Sequence, residues 1–390
     1  MNTFDPLRGS EALPFSKHSW LETPLLWVRL MQQNEYAQEW GRQPGVGISI
    51  LNWNGWQDTL ECLESVRRLD YPNYLTIVVD NGSRNDSVQK IKVWAEEKLG
   101  PRHVLADYAR ETALQGGEPE TERSLERVPS PARLVLIRNE ENLGFTGGNN
   151  VAMDYALTRL NAAAYVFLLN NDATVDRDCA SHLVKVAEKA DAAIVGAVIK
   201  GMNGKIQFAG AESKHPLLCC FFSPLFAWSV PALGMEAEFS PSFFAHGAGM
   251  LIRSDALKAV HSRRGSYLDE RLFTYGEEID FSGIARELGF TTAVAKHALV
   301  HHKGAASAGG QCNPAAYYYC IRNPILQAKK KLPWYLRPFY HVANFGLGLA
   351  RVLKNLALGR FASARAIILG IYHGYTGVTG KWKCQGRVQA

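Results

Sequence analysis

Residues 164–172 read Ala164-Tyr165-Val166-Phe167-Leu168-Leu169-Asn170-Asn171-Asp172, an apolar run that stops abruptly at a polar tip. The run is too short for a typical helix and is rich in strand formers. A strand of a parallel sheet has this pattern, because helices cover both of its faces. The first carboxylate, Asp172, then falls at the strand's carboxyl end, where open α/β sheets bind ligands. A turn or N-cap aspartate after a buried strand is the competing reading.

The pattern repeats upstream and downstream. Val46–Leu51 ends at Asn52-Trp53-Asn54-Gly55, and Asp58–Val66 follows with apolar positions at helical spacing. Thr76–Val79 ends at Asp80-Asn81-Gly82-Ser83 and precedes a helix from about Ser87 to Lys98. Leu134–Ile137 and Ala193–Ile199 read as further strands, and Asn142–Asn150 leads into a helix from about Val151 to Leu160. A helix begins near Glu278, and Thr291–Val300 closes the sheet. This alternation predicts an α/β doubly wound, Rossmann-like, mostly parallel sheet. Residues 100–132, charged and rich in Gly, Pro and Glu, predict an inserted surface loop with one short helix. The expected organisation is an extension over 1–44, a main domain over 45–325 and amphipathic helices over 326–390.

Composition narrows the function classes. Hydrophobic residues make up 47% and charged residues 21%, enough for a sizeable core. The net charge of +6 is too mild for a dedicated nucleic-acid binder and suits an anionic small substrate or membrane surface. Seven cysteines without a CxxC pair read as free thiols of a reducing compartment. Met1–Ser10 has no secretory pattern, which predicts a cytoplasmic protein. In the extension, Trp20–Met31 has amphipathic spacing. Pro216–Met235 is uncharged and long enough to span a bilayer, but its three prolines predict a loop or membrane-touching flap. From Pro333 to Tyr375, apolar and aromatic residues interleave with Arg337, Arg351, Lys354, Arg360 and Arg365. That mixture predicts helices lying on the anionic inner leaflet; packing on the core or on a second copy of the chain is the alternative.

The polar strand tips gather the chemistry. Asn52, Asn54, Asp80, Asn142, Asn149 and Asp172 belong at one edge of the sheet. Asp80 can accept from a nucleotide's N–H and O–H donors, or close a simple Asx-turn. Gly144, Gly147 and Gly148 permit close backbone approach but match neither the dinucleotide fingerprint nor the P-loop.

The blocks ISILNWNGW, IVVDNGS, RNEENLGFTGGNN, VFLLNNDATV, HGAGMLIR, LFTYGEEIDF and HHKGAAS occur in this order. Over about Val46–Asn323 the chain thereby resembles the GT-A glycosyltransferases of family GT2, closest to a rhamnosyltransferase-like subgroup that builds bacterial surface polysaccharides. The resemblance implies inverting sugar transfer from a nucleotide-sugar donor to a glycan or polyprenyl-linked glycan, with a divalent metal, Mg or Mn. It places Asn170-Asn171-Asp172 at the family's Asp-x-Asp motif, with Asn171 in the donor site and Asp172 on the metal. His302 matches the histidine near metal and diphosphate, with His301 as its competitor. Glu277-Glu278-Ile279-Asp280 matches the acidic segment that supplies the base. Glu278 stands where the family has Asp, and Glu277 or Asp280 is the substitute. Asn52, Asp80 and Gly82 would border the nucleoside. Gly247 and Gly249 would border the donor sugar, although tight strand packing explains each glycine as well. Arg322, in Arg322-Asn323, would reach the diphosphate or form a plain salt bridge. The processive-synthase motif Gln-x-x-Arg-Trp is absent, so addition of one or a few sugars is expected. A nucleotidyltransferase and a non-catalytic glycan-binding scaffold are the alternatives.

Overall fold

The computed structural model describes residues 43–159, 163–211, 237–304 and 313–383. The amphipathic segment at 20–31 and the proline-containing segment at 216–235 lie outside the described residues. In chain order the elements are β1 (Gly45–Asn52), α1 (Trp56–Val66), β2 (Tyr74–Asp80), α2 (Ser87–Lys98), β3 (Val104–Ala109), α3 (Arg110–Leu114) and α4 (Pro119–Glu126). There follow β4 (Arg133–Arg138), α5 (Gly144–Arg159), β5 (Ala163–Asn170), β6 (Ala173–Val175), α6 (Cys179–Lys189), β7 (Ile194–Gly201) and β8 (Ile206–Phe208). The last are β9 (Phe239–Pro241), β10 (Gly249–Arg253), α7 (Ser254–Arg264), α8 (Glu277–Glu287), β11 (Thr292–His302), α9 (Pro314–Lys331), α10 (Arg337–Ala357) and α11 (Phe361–Thr376).

The strands form one sheet in the order β3-β4-β2-β1-β5-β10-β7-β11-β6, with β8 on β7 and β9 on β11. From β3 to β5 every pairing is parallel. The strand order reverses about β1, where ligands of doubly wound sheets gather. β10 enters antiparallel between β5 and β7. Its register, Gly249 opposite Leu169, brings the segment His246–Ala248 to the polar tip of β5. Val166, Phe167, Leu168 and Leu169 are all buried, as the opening run requires, with one apolar cluster on each face of the sheet.

Three details differ from expectation. Residues 100–132 contain an edge strand and two helices where a loop was expected. Their charge is misleading, because Glu122 is buried: it accepts from Tyr108 and Tyr155, 2.8 Å each, and pairs with Arg159. Paired this way, a carboxylate can enter the core because the hydrogen bonds and the ion pair offset its desolvation penalty. Helix α5 starts at Gly144, not Val151, so the polar run Thr146–Asn150 forms its first turns. The boundary expected at 325 falls inside α9, whose far face packs against α11.

Candidate active site

A cleft of about 1360 Å³ opens at the polar strand tips, large enough for a nucleotide and a sugar together. The β1 side contributes Leu51 and Trp53, and the β5 tip contributes Asn170, Asn171 and Asp172. Glu277 and Glu278 face it from α8, and His302 from β11.

The edge formed by the β1 and β2 tips is a closed hydrogen-bond chain. The Asn171 amide donates to Thr59 Oγ1 (3.1 Å), which donates to Asn52 Oδ1 (2.8 Å). Asn52 Nδ2 donates to Asp80 Oδ2 (2.6 Å), and the Ser83 N–H reaches Asp80 Oδ1 (3.0 Å). Asn54 is exposed with φ +54 and ties the β1 loop to the β2 loop through Ser83 and Arg84. Asn142 accepts from the N–H of Gly144 at 2.8 Å and so opens α5. Asn81, not singled out from sequence, links that turn to β2 by donating to Asn142 Oδ1 and to the Gly144 carbonyl. Gly144 has φ +76, and a Cβ there would lie 2.3 Å from the Phe273 carbonyl. Only glycine fits where α5 meets the loop before α8.

Asp172 and His302 converge. Asp172 Oδ1 lies 3.2 Å from His302 Nε2, and both residues are buried. Gln207 Nε2 donates to the His302 carbonyl (3.3 Å), which leaves Oε1 to accept from His302 Nδ1–H (3.1 Å). In that tautomer the Nε2 lone pair accepts from the Asn170 amide (3.2 Å) and lies beside the Asp172 carboxylate. Two facing acceptors suit a cation between them. Among the described residues no group of three or more His, Cys, Asp or Glu is placed to hold a metal. A carboxylate and an imidazole fit a divalent ion that takes its other oxygens from phosphate and water. Strand alternation sends His301 to the opposite face, where Nε2 meets Asp176 at 3.0 Å. The His246 ring lies 6.0 Å from that of His302. Burial pushes the His246 imidazole down to about 4. Its Nδ1 accepts from the Ala248 N–H, leaving Nε2–H as a neutral donor.

The opposite pole is the start of α8. One carboxylate oxygen each of Glu277 and Glu278 is buried without a hydrogen-bond partner. Burial, then the neighbouring Glu278 and Asp280 charges, raises Glu277 well above the usual carboxylate range. Burial likewise raises Glu278, against backbone N–H groups at the helix start that lower it. Tyr275 also lines the cleft, and burial, followed by Cys320, Glu277, Asp172 and Glu278, raises its phenol. Asp280 turns inward and pairs with Arg264 outside the cleft.

The loop before α8 is strained, with φ +67 at Phe273 and +69 at Tyr275. Such angles on bulky residues cost roughly 1–3 kcal/mol each and need support from their surroundings. Arg322 and Asn323 supply it. Asn323 Nδ2 donates to the carbonyls of Leu272, Thr274 and Tyr275 at 3.1, 2.7 and 2.7 Å. Arg322 is fully buried, with its guanidinium on the Leu272, Arg271 and Gly380 carbonyls. The diphosphate contact expected of Arg322 is therefore absent; the residue holds the loop that presents the glutamates. Gly247 lines the cleft, whereas Gly249 packs between Val300 and Ala197, and Gly82 lies against the Glu141 backbone. Asn149 is also withdrawn, accepting from Ser49 Oγ at 2.8 Å to anchor α5 on β1. Sequence reasoning missed the far wall, where Tyr318, Tyr319, Arg365 and His373 come from the C-terminal helices and Trp382 from the segment after them.

The model of Glycosyl transferase family 2 matches residues 48–109 and 116–260, more than half of the chain. The low-salt glycan biosynthesis hexosyltransferase Agl10 of Haloferax volcanii is 31% identical over 146 residues, 37% of this chain and 44% of that protein. Hyaluronan synthase 3 of Mus musculus is 23% identical over 171 residues, 43% of this chain and 29% of that protein. The chain thus spans less than half the length of these curated relatives. Among solved structures, the mannosyltransferase PcManGT from Pyrobaculum calidifontis, in complex with GDP-Man and Mn2+, is similar with a TM-score of 0.48 and 13% identity, over 90% of this chain and 96% of that one. With more than half of its length matched by one family model, the chain belongs to glycosyl transferase family 2.

Proposed function

We propose that the chain is an inverting, metal-dependent glycosyltransferase that moves a hexose or deoxyhexose such as rhamnose from a nucleoside diphosphate to a glycan hydroxyl in bacterial surface polysaccharide synthesis. The observation that carries this reading is one cleft with two unlike poles. Unpartnered carboxylate oxygens of Glu277 and Glu278 face it from α8, and the Asp172–His302 pair faces it from the sheet. The relative named as a glycan biosynthesis hexosyltransferase supports the sugar class.

Trp53 and the strand tips at Asn52 and Asp80 border the nucleoside. Asp172 and His302 Nε2 would hold a Mg or Mn ion, which when bound would neutralise charge gathering on the departing diphosphate. His246 Nε2–H and the bare backbone at Gly247 border the donor sugar. Glu278 accepts the acceptor hydroxyl's proton as that oxygen bonds to the anomeric carbon. The bond from that carbon to the diphosphate oxygen breaks on the opposite face, which inverts the centre. Burial raises the basicity of Glu278 and so suits it to proton removal near neutral pH.

The C-terminal helices support attachment at the inner leaflet. On α10, Phe339, Val342, Phe345, Leu349 and Leu353 are all exposed, recur at three- and four-residue spacing, and form one stripe. Phe339 and Val342 are each 75% exposed. No Asp or Glu follows Glu287 in the chain, so the stripe is flanked by cations alone. An apolar stripe flanked by cations suits an anionic bilayer surface. No helix of the described residues is long and apolar enough to cross a membrane.

The test is a thermal-shift panel of nucleoside diphosphates and their sugars with Mg or Mn, followed by donor hydrolysis. A true donor raises Tm by mass action and is hydrolysed only with metal. Wild-type protein that neither shifts nor hydrolyses any donor would refute the reading.

A further inference from the structure

Glu277 is the first residue of α8, is 5% exposed, and lines the cleft beside Glu278. A carboxylate buried this far ordinarily meets a cation or several N–H donors. Among the described residues neither glutamate has an ion-pair partner, and Oε2 of each is bare.

The groups around Glu277 supply no balancing charge. On its own helix they are Glu278 and Asp280, and Arg264 of α7 pairs with Asp280. The loop before α8 brings Tyr275, whose phenol Glu277 helps to raise. Helix α9 brings Gln327, bonded to the Gly276 carbonyl at 3.0 Å, and Cys320. Burial, then Glu278, pushes the Cys320 thiol up to about 12. The charge of Arg351 on α10 bears on Cys320 rather than on Glu277.

The two glutamates are not equivalent. Backbone N–H groups of Gly276 and Glu278 favour the ionised form of Glu278, whereas Glu277 has only its own N–H. Two neighbouring carboxyl groups without a cation retain one proton between them, and this asymmetry leaves it on Glu277. The pole then shows the cleft two unlike oxygens: Glu278 Oε2 accepts, and Glu277 Oε2–H donates. Neighbouring oxygens on one sugar ring satisfy both at once. A lone hydroxyl satisfies one.

We propose that Glu277 binds substrate as a neutral carboxylic acid, donating its Oε2–H to the oxygen next to the hydroxyl that Glu278 deprotonates. The proton of Glu277 stays in place during transfer, and the hydroxyl's proton goes to Glu278. The site therefore selects a hydroxyl with a neighbouring oxygen, a vicinal diol in the simplest case, because any other leaves the buried Oε2–H unpaired. The catalytic role rests on the glycosyl-transfer reading above; the held proton and the diol binding do not.

Infrared difference spectra of the full chain at neutral pH test it. Wild type minus Glu277→Gln should show the carbonyl band of a protonated carboxyl. Glu278→Gln should keep that band, because burial is the largest cause holding the proton on Glu277. At least one of the methyl α-glycosides of mannose, rhamnose, glucose and galactose should shift the band, and cyclohexanol, with its single hydroxyl, should not. When that glycoside is used as acceptor, its KM should rise about threefold to tenfold in Glu277→Ala, as loss of one hydrogen bond requires. The proposal is overturned by a wild type without the band, a band lost in Glu278→Gln, a band that no glycoside moves, an equal shift with cyclohexanol, or an unchanged KM. If Glu277→Gln fails to fold, the shift in wild type and the Glu278→Gln spectrum still decide it. Failure of the glycosyl-transfer reading registers separately, as a band and a glycoside shift in a protein that uses no nucleotide-sugar.

Discussion

The two walls of the cleft satisfy their polar groups in opposite ways. On the sheet side, Asn171, Thr59, Asn52, Asp80 and Ser83 bond one to the next within the protein. On the helical side, Arg365 and Lys383 point at the cleft without a counter-charge, and the outer face is a row of exposed apolar side chains. A saturated network is rigid and presents a shape already formed. An unpaired wall next to exposed hydrocarbon is complete only with something bound.

The contrast can be broken first at the pole between the walls. Glu278→Gln should lower kcat by about 10²- to 10⁴-fold while nucleoside diphosphate affinity, measured by titration, stays at the wild-type value. Full activity would remove the base from this position. The strained loop comes next. Asn323→Ala frees three carbonyls and lets the glutamates drift, so kcat should fall about 100-fold with donor KM little changed. An equal loss of donor affinity would instead make Asn323 part of the sheet-side wall.

The outer face gives a smaller effect. Phe339→Ser with Phe345→Ser should weaken partitioning onto phosphatidylglycerol vesicles about tenfold or more. Soluble donor hydrolysis should not change. Sedimentation with vesicles reads the first, and identical partitioning would refer the stripe to a protein partner.

The smallest effect is on stability. The Glu277 carboxyl is raised by folding, so the folded state holds a proton that the unfolded chain has already lost. Stability therefore falls as pH rises from the usual carboxylate range through the raised value, and the deficit persists above it. Glu277→Gln should raise Tm at neutral pH and lose that advantage below the usual carboxylate range. A Tm gain that is the same at every pH would locate the benefit in packing.

Much of the sheet could be read from the chain. The Ala164–Asp172 run, the two Asn- and Asp-tipped strands before it and the helix at Ser87–Lys98 emerge where expected, because strand and helix periodicity is set by near neighbours. The edge strand Val104–Ala109 was hidden by the charges around it. Glu122 looks like a surface residue until Tyr108 arrives from β3 and Tyr155 and Arg159 from α5. Arg322 misleads for the same reason: nothing local shows that its guanidinium will meet carbonyls at Leu272 and Gly380.

The order of elements, the polar tips and the lack of acids after Glu287 belong to the sequence, since each follows from composition and short-range spacing. Which polar groups remain open to a ligand was decided only in three dimensions. A donor's availability depends on what long-range packing sets beside it. That packing withdrew Arg322, Asp280 and Asn149 and left Glu278, His302 and Arg365 facing one cleft.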